Sequence, residues 1–330
     1  MKMEKIWINV DDAKVDISVL RKELGENFNV VADPVATTDK EGLLKRTEGC
    51  RAVISGLENW DADVIRQVEG KIGLIQKYGM GLDNIDIRAA TASGIAVANV
   101  IGANSAAVAE VALMHILNVL RRFTPCVSGV KKHIWPSTIT GPELDGKTVG
   151  LLGFGNIAQN LARMLTGFRV DIVAYDPFVK TVPEGIRATL VESPEEVFAK
   201  GDIVSIHIPC TPETEGSVNE ELISLMKPGS YLINTSRGRV IDESAVISTL
   251  KSGQLAAVGL DVLYTEPPLE NTMDMELIDM DNVFVTSHMG AESVESGVRS
   301  QVIMAETIKK FFCGEFTRFV VNQKDLTAEK

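Results

Sequence analysis

The chain has 330 residues, of which 45% are hydrophobic and 24% are charged. This balance is that of a globular protein large enough for two domains, and it excludes a disordered or fibrous chain. The formal net charge of −12 disfavours binding to nucleic acid or to an anionic membrane surface.

Short β-rich apolar runs alternate with amphipathic stretches along the whole chain. This alternation predicts an α/β fold, in which helices cover both faces of parallel sheets. Strands of a first unit are predicted at 5–10, 52–55, 72–77 and 95–98. A long buried helix is predicted over 105–122, too short for a membrane span, and a polar, turn-rich stretch follows it up to Lys147.

The second half of the chain is predicted to hold six strands, the number in a full dinucleotide-binding fold. They are predicted at 148–152, 170–175, 203–207, 230–234, 257–260 and 283–286. A last helix is predicted over 293–312, and the short tail behind it can pack back on the first unit. A domain boundary is predicted near residues 100–104.

A glycine-rich turn follows the first of these six strands. The residues Gly153-Phe154-Gly155-Asn156-Ile157-Ala158 form the pattern G-x-G-x-x-A, and a helical pattern begins at once. Gly153 permits the tight turn, Gly155 lets backbone approach a pyrophosphate, and the small third residue allows close helix packing. The next strand ends at Asp176, where an acid binds ribose hydroxyls and repels a 2'-phosphate. The pattern predicts NAD as the cofactor; the alternative is a packing loop with a turn at Asp176-Pro177.

Three polar residues follow late strands of the second unit, where open α/β sheets place their sites. Arg237 can bind a carboxylate with two hydrogen bonds, and His288 can transfer a proton near neutral pH, helped by a carboxylate such as Glu266. Each also has a plain alternative: a surface charge for Arg237, a solvated loop acid for Glu266 and a core histidine for His288. His207, at the end of another strand, is the second candidate for the acid.

At these positions the chain resembles the D-isomer-specific 2-hydroxyacid dehydrogenase family over about residues 50–322. The resemblance rests on segments spread along the chain: 79–86, 102–110, the glycine turn with Asp176, 207–211, 226–229, 234–238, 260–267 and 288–290. It implies an NAD-dependent oxidoreductase that transfers a hydride between NAD(H) and a small D-2-hydroxy or 2-oxo acid. It also implies that His288 is the acid/base, Glu266 its partner, and Arg237 the group that binds the substrate carboxylate.

The resemblance further implies which residues contact the ligands. The NAD contacts would be Gly153, Gly155, Asn156, Ile157, Asp176, Ile208, Pro209, Thr214, Thr235, Arg237 and Asp261. The substrate contacts would be Lys77, Met80, Gly81 and Arg237. A Rossmann NAD-binding domain (103–290) would be inserted in a flavodoxin-like substrate domain (1–102 with 291–330). Both would be doubly wound parallel-sheet domains. Two copies would form a homodimer through their NAD-binding domains.

Departures from the family pattern keep the substrate and the activity open. Ile54-Ser55-Gly56 stands where members acting on phosphoglycerate often carry Val-Arg-Ser, so a phosphate clamp is incomplete and phosphoglycerate is kept as a second possible substrate. Two further functions stay open: a non-catalytic NAD(H)-sensing protein, and an enzyme that takes hydride from formate or phosphite. The scattered cysteines and histidines show no metal-ligand spacing, and the first residues do not form a secretory signal, so we expect no metal and a cytoplasmic protein.

Overall fold

A computed structural model of the protein describes residues 3–13, 15–136 and 138–328. The chain divides into two compact units. The first unit combines the part of the chain before Ser105 with the part after Ser293, and the second unit is the segment between them. The second unit is therefore an insertion within the first.

The secondary structure elements are numbered in chain order. The strands are β1 (Glu4–Ile8), β2 (Phe28–Ala32), β3 (Cys50–Ser55), β4 (Leu74–Lys77), β5 (Ala96–Ala98), β6 (Thr148–Leu152), β7 (Asp171–Tyr175), β8 (Thr189–Leu190), β9 (Ile203–Ile206), β10 (Ser230–Asn234), β11 (Leu255–Leu260) and β12 (Val283–Val285). The helices are α1 (Ser18–Leu24), α2 (Lys40–Arg46), α3 (Ala62–Val68), α4 (Ile87–Ala92), α5 (Ser105–Arg121), α6 (Phe123–Lys131), α7 (Asn156–Leu165), α8 (Pro194–Lys200), α9 (Glu220–Ser224), α10 (Glu243–Ser252), α11 (Met273–Asp279), α12 (Val294–Phe312) and α13 (Gln323–Ala328).

The first unit is built on a parallel sheet with the strand order β2-β1-β3-β4-β5. Successive residues of β1 face opposite sides: Ile6 and Ile8 belong to one hydrophobic cluster and Trp7 to another. Because both faces are covered, the central strands are apolar runs without polar alternation, which is why they can be recognised in the sequence. The order is that of a flavodoxin-like doubly wound fold.

The predicted count of four strands in this unit is wrong, because β2 is a fifth. It lies at the sheet edge and pairs only with β1. Its residues are partly or fully exposed. The polar Asn29 is followed directly by the apolar Val30 and Val31, so polar and apolar residues do not alternate. An edge strand buries little of either face, so its sequence carries neither a continuous apolar run nor a clear alternation.

The second unit is built on a parallel sheet with the order β12-β11-β10-β9-β6-β7-β8. The six predicted strands are all present, and β6 and β10 have the predicted bounds. The two-residue edge strand β8 makes the count seven rather than six. The chain reverses its direction of winding between the neighbours β6 and β9, and in such sheets ligands bind in the crevice at that switch point.

The long helix α5 is a buried element of the second unit. Ala109, Ala112 and Ile116 lie in the same hydrophobic cluster as Val149 and Leu151 of β6. The predicted buried helix over 105–122 is therefore confirmed, within one residue at its end. Among the helices in the described part of the chain, none combines the length and the apolar character that crossing a membrane would require.

The turn-rich stretch predicted after the long helix is wrong in part, because it contains α6. None of the α6 residues is buried within the chain. The helix is also short and contains Pro125 and Gly129, residue types that are typical of turns, so its sequence favours a turn-rich stretch over a helix.

Candidate active site

The glycine turn lies at the carboxyl end of β6, at the switch point of the second sheet. Gly153 has φ +89°, and a Cβ there would lie 2.8 Å from the carbonyl oxygen of His207 at the end of β9. Only glycine fits this close approach in this backbone conformation. Gly155 is the N-cap of α7, forms no side-chain cap, and has open space where a Cβ would point. The turn thus leaves the amino end of α7 open to an anion, with Asn156 and Ile157 as its first residues.

Asp176 is held beside this turn by three backbone hydrogen bonds. The Phe154 N–H donates to Oδ2 at 2.9 Å, and the N–H groups of Phe178 and Val179 donate to Oδ1 at 2.8 and 3.2 Å. The carboxylate is therefore fixed at the end of β7, the strand that pairs with β6, and the glycine turn directly follows β6. An open helix terminus with a fixed acid at this distance in sequence fits a dinucleotide, with the pyrophosphate at α7 and the ribose hydroxyls on Asp176.

Other predicted NAD contacts lie in the loops after β9 and β10 of the same sheet. Thr214 closes the loop after β9: its hydroxyl donates to the Pro209 carbonyl at 2.6 Å and accepts from the Thr211 N–H at 2.7 Å. Ile208 lies in the same loop. Thr235 follows β10 and is buried, and its hydroxyl has no hydrogen-bond partner among the described residues. A buried hydroxyl without a partner is uncommon, and a bound ligand is one way to satisfy it.

His288 and Glu266 are in direct contact. His288 Nδ1 lies 2.5 Å from Glu266 Oε2, and the other carboxylate oxygen accepts the Leu263 N–H at 2.9 Å. With the ring assigned so that Nδ1–H donates to the carboxylate, Nε2 is the atom left for proton exchange with a ligand. His288 has φ +55°, a conformation uncommon for residues other than glycine. The structure therefore brings together two residues that are 22 positions apart in the sequence.

The pair shifts the pKa values of both members. The hydrogen bond that His288 donates to Glu266 raises the pKa of His288 above its ordinary value, although burial and the charge of Arg237 act in the opposite direction. Burial raises the pKa of Glu266, but the His288 hydrogen bond, the Leu263 N–H and the charges of His288 and Arg237 together lower it. Glu266 is thus ionised and His288 takes up a proton more readily than a free histidine.

Arg237 is near enough for its charge to act on both members of this pair. Its backbone is fixed by Asn234, whose side-chain amide donates to the Arg237 carbonyl at 2.8 Å. Asn234 Oδ1 accepts the Ser236 N–H, and Nη1 of the guanidinium donates to the Ser236 carbonyl at 2.7 Å. The three residues singled out in the sequence are therefore one cluster within the second unit.

Asp261 holds the loop that carries His288. It is 1% exposed, and its carboxylate accepts the N–H groups of Met289 and Gly290 at 2.9 and 2.8 Å and the Thr286 hydroxyl at 2.6 Å. The backbone N–H of His288 donates to the backbone carbonyl oxygen of Asp261 at 2.8 Å. The sequence predicts Asp261 only as an NAD contact, which stays a prediction. Its role in the loop was missed; the signal in the sequence was an acid directly after an apolar strand.

His115 and His207 lie outside the Glu266 pair. His115 is buried and bonded to the Thr286 hydroxyl at 3.0 Å, so it extends the Asp261 network. Burial lowers the pKa of His207 to about 4, and neither of its ring nitrogens has a hydrogen-bond partner among the described residues. At neutral pH His207 is uncharged, which favours His288 as the residue that carries a transferable proton.

Lys77, Met80 and Gly81 belong to the first unit. Lys77 is 5% exposed at the end of β4, and its Nζ donates to the Gly56 carbonyl and to Asn84 Oδ1. The Met80 carbonyl accepts the side-chain amide of Asn99 at 3.0 Å, so this loop is tied to its neighbour. The role of these residues in substrate binding stays a prediction.

Comparison with known proteins identifies relatives over nearly the whole chain. A family model described as "D-isomer specific 2-hydroxyacid dehydrogenase, NAD binding domain" matches residues 113–290. The sequence is 35% identical to D-3-phosphoglycerate dehydrogenase of Methanocaldococcus jannaschii, over 99% of this chain and 61% of that protein. It is 37% identical to hydroxypyruvate reductase of Thermotoga maritima, over 76% of this chain and 80% of that protein.

A solved structure shares the fold. The holo form of D-mandelate dehydrogenase from Rhodotorula graminis matches with a TM-score of 0.84 and 28% identity, covering 94% of this chain and 95% of that one. By contrast, the chain spans 49 to 61% of the length of the phosphoglycerate dehydrogenases in three of these comparisons. Those relatives are therefore considerably longer than this chain.

Proposed function

Because this chain belongs to the D-isomer-specific 2-hydroxyacid dehydrogenase family and carries its NAD-binding domain, we propose that it interconverts a small D-2-hydroxy acid and the matching 2-oxo acid. The observation that carries the proposal is the contact of 2.5 Å between His288 Nδ1 and Glu266 Oε2, within reach of the charge of Arg237. All three residues follow strands of the same parallel sheet as the glycine turn. Carboxyl ends of such strands are where ligands bind.

His288 moves the proton in this reaction. In the direction of reduction, its Nε2–H protonates the oxygen that develops negative charge as the carbonyl accepts a hydride. In the direction of oxidation, neutral Nε2 removes the proton of the hydroxyl. Glu266 stabilises the imidazolium and fixes the ring through Nδ1. NAD, when bound, supplies or accepts the hydride.

Arg237 binds the carboxylate that every 2-hydroxy and 2-oxo acid carries. A guanidinium forms paired hydrogen bonds to a carboxylate, which orients the neighbouring carbonyl as well as attracting the anion. Its positive charge also stabilises the oxygen that becomes an alkoxide. Lys77 and the backbone of Met80 and Gly81 are the proposed contacts from the first unit.

The proposal is tested by following NADH absorbance with a panel of 2-oxo acids. The panel contains hydroxypyruvate, glyoxylate, pyruvate, phenylglyoxylate and 3-phosphohydroxypyruvate. The phosphorylated member is included because 35% identical relatives are named phosphoglycerate dehydrogenases. We expect steady-state turnover with at least one member. If the protein binds NADH but turns over none of these acids, the proposal is contradicted and NAD(H) sensing becomes the favoured function. If it oxidises formate or phosphite and no 2-oxo acid is reduced, it is a dehydrogenase of those anions instead.

We also propose that the protein is a homodimer formed through the second unit. The helix α6 has no buried residue, Phe123 at its start is 65% exposed, and Trp135 a few residues beyond it is 82% exposed. Large exposed apolar side chains gathered in one segment are typical of a surface that a second copy covers.

The proposed compartment is the cytoplasm. All four cysteines, at positions 50, 126, 210 and 313, are free thiols. Free thiols are characteristic of a reducing compartment.

Glu266→Gln should move the pH dependence of the reaction to lower pH. The carboxylate raises the pKa of His288, so its neutral replacement lowers that pKa. Reduction needs protonated His288 and is lost as the pH rises through this pKa, so the loss should occur at lower pH in the variant. At a pH above both values, each unit of the shift lowers the rate of reduction by about tenfold.

The matched control is Glu276→Gln, since Glu276 is an exposed acid that pairs with Lys251 on the protein surface. The measurement is kcat/KM for reduction between about pH 5 and 10 with both variants, a range that brackets the titration of a histidine. An unchanged profile for Glu266→Gln would remove Glu266 as the partner of the acid.

A further inference from the structure

We propose that Asp274 and Glu243, two buried acidic residues on helices that pack against each other, are positioning residues that hold the backbone from which Glu266 extends. The inference deepens the proposed function and rests on it, because it assigns these residues to the same proton transfer. The pair is separate from Arg237, Glu266 and His288, and its members come from two different helices, α11 and α10.

Asp274 binds the backbone directly in front of Glu266. Its side chain is 1% exposed. Oδ1 accepts the N–H of Tyr264 at 2.9 Å, and Oδ2 accepts the N–H of Thr265 at 3.0 Å. Both carboxylate oxygens thus bind the two residues that precede Glu266. A carboxylate that accepts backbone N–H groups forms charge-assisted hydrogen bonds, which are stronger than neutral ones.

The same segment is confined from another side by Gly238. A Cβ on Gly238 would lie 2.0 Å from the carbonyl carbon and oxygen of Leu263, so backbone packs against backbone there. The Leu263 N–H donates to Glu266 Oε1. Because the segment 263–266 has little room between Gly238 and Asp274, its backbone position determines where the Glu266 carboxylate meets His288.

Glu243 lies on α10, the helix that packs against the helix of Asp274. Glu243 is the first residue of α10, and it lines a small cavity of about 10 Å³ together with Leu263 and Tyr264. Burial, together with the hydrogen bond to Asp274 and the negative charge of that residue, raises the pKa of Glu243 to about 8. At neutral pH Glu243 therefore keeps its proton, and the protonated carboxyl group can donate a hydrogen bond to the Asp274 side chain.

The charges that face Glu243 are negative. They come from Asp242, the N-cap of its own helix, and from Asp274 on α11. The strand β11, which packs on α10, has no titratable residue. The other acidic residues of the neighbouring helices α9 and α11 are exposed: Glu220, Glu221, Glu276 and Asp279. Of the cations at this end of the unit, Arg239 lies over the Tyr264 ring and Lys251 pairs with Glu276.

Loss of the Glu243 proton would therefore bring buried carboxylates into repulsion. The repulsion weakens the hold of Asp274 on the N–H groups of Tyr264 and Thr265, and Glu266 loses its fixed position. This loss can be separated from the titration of His288 in the direction of oxidation, which requires neutral His288 and does not decline when that residue is deprotonated. A decline of oxidation at alkaline pH then reports on Glu243.

The first test is the pH profile of 2-hydroxy acid oxidation with Glu243→Gln. The glutamine amide donates to Asp274 at every pH and cannot ionise. We expect the wild-type rate to decline with a midpoint of about pH 8, and the variant rate to stay on its plateau through that range. A decline that persists unchanged in the variant overturns the proposal.

The second test is Asp274→Asn, with Asp279→Asn on the same helix as the matched exposed control. The asparagine can accept only one of the two backbone hydrogen bonds, so we expect kcat to fall about 10- to 100-fold, as for a small misplacement of a catalytic group. KM for NADH should be unchanged, and the control should behave as wild type. Wild-type kcat in Asp274→Asn contradicts the proposal.

Amide exchange of the peptide covering 262–268 provides a readout that does not need turnover. After correction for intrinsic exchange, we expect its protection to fall in the wild type above about pH 8 and to persist in Glu243→Gln. Equal protection in both proteins at every pH overturns the proposal. If instead no 2-oxo acid is turned over by the wild type, the proposed function fails while this measurement still tests the carboxyl pair.

Discussion

Replacing His288 with asparagine should lower kcat for 2-oxo acid reduction by about 10²- to 10⁴-fold, the contribution of a positioned general acid. The imidazole pairs with Glu266 at 2.5 Å and this pairing raises its pKa, so it keeps its proton to a higher pH than a free histidine does. Asparagine cannot transfer a proton at neutral pH. The measurement is steady-state kcat with the best 2-oxo acid of the panel.

Asparagine is preferred to alanine because His288 has φ +55°. Asparagine adopts this left-handed conformation more readily than most residues, so the loop that Asp261 holds should keep its shape. The affinity for NADH, measured by fluorescence titration, should remain within about twofold, since the proposed dinucleotide contacts lie at the glycine turn and Asp176. Wild-type turnover in a variant that binds NADH would exclude His288 as the acid.

Replacing Arg237 with alanine should lower kcat/KM for reduction by about 10²- to 10³-fold, the usual effect of removing a group that stabilises a developing oxyanion. The loss has two sources: the substrate carboxylate loses its paired hydrogen bonds, and the carbonyl oxygen loses a nearby positive charge. Both KM and kcat should therefore change, unlike in His288→Asn, where the change is confined mainly to kcat.

Arg237→Lys separates the two sources. Lysine retains the charge but not the planar fork, so it should recover only part of the loss. Because Arg237 and the proposed NAD contact Thr235 share the loop after β10, circular dichroism and NADH titration must show that both variants fold and bind the dinucleotide. A lysine variant with wild-type kcat/KM would contradict paired hydrogen bonding by the guanidinium.

Arg237→Ala should also affect the histidine. The charge of Arg237 lowers the pKa of His288, so its removal should raise that pKa. Any residual reduction should then persist to higher pH than in the wild type, the opposite of the shift expected for Glu266→Gln. Opposite shifts in the two variants would show that both residues act on the same imidazole, and shifts in the same direction would contradict that arrangement.

The amino-acid sequence by itself determined the class of fold and most of the strands, because a buried parallel strand is a short apolar run that local pattern reveals. It also indicated the glycine turn, Asp176 and the three residues Arg237, Glu266 and His288, since turn glycines and polar residues directly after strands are local features. The edge strands β2 and β8 escaped prediction because strands that bury little surface carry little periodicity. The exposed helix α6 escaped it because Pro125 and Gly129 within it are typical of turns.

Only the tertiary structure decided how these residues interact. Three sets of contacts join residues that are 9 to 29 positions apart. They are the 2.5 Å contact of His288 with Glu266, the hydrogen bonds of Asp261 to the His288 loop, and the hydrogen bonds of Asp274 to the segment before Glu266. Such contacts depend on which strand ends lie side by side in the sheet, which spacing in the sequence does not specify. The raised pKa values of His288 and Glu243 follow from the same proximity and burial, because a pKa responds to the groups around a side chain rather than to its neighbours along the chain.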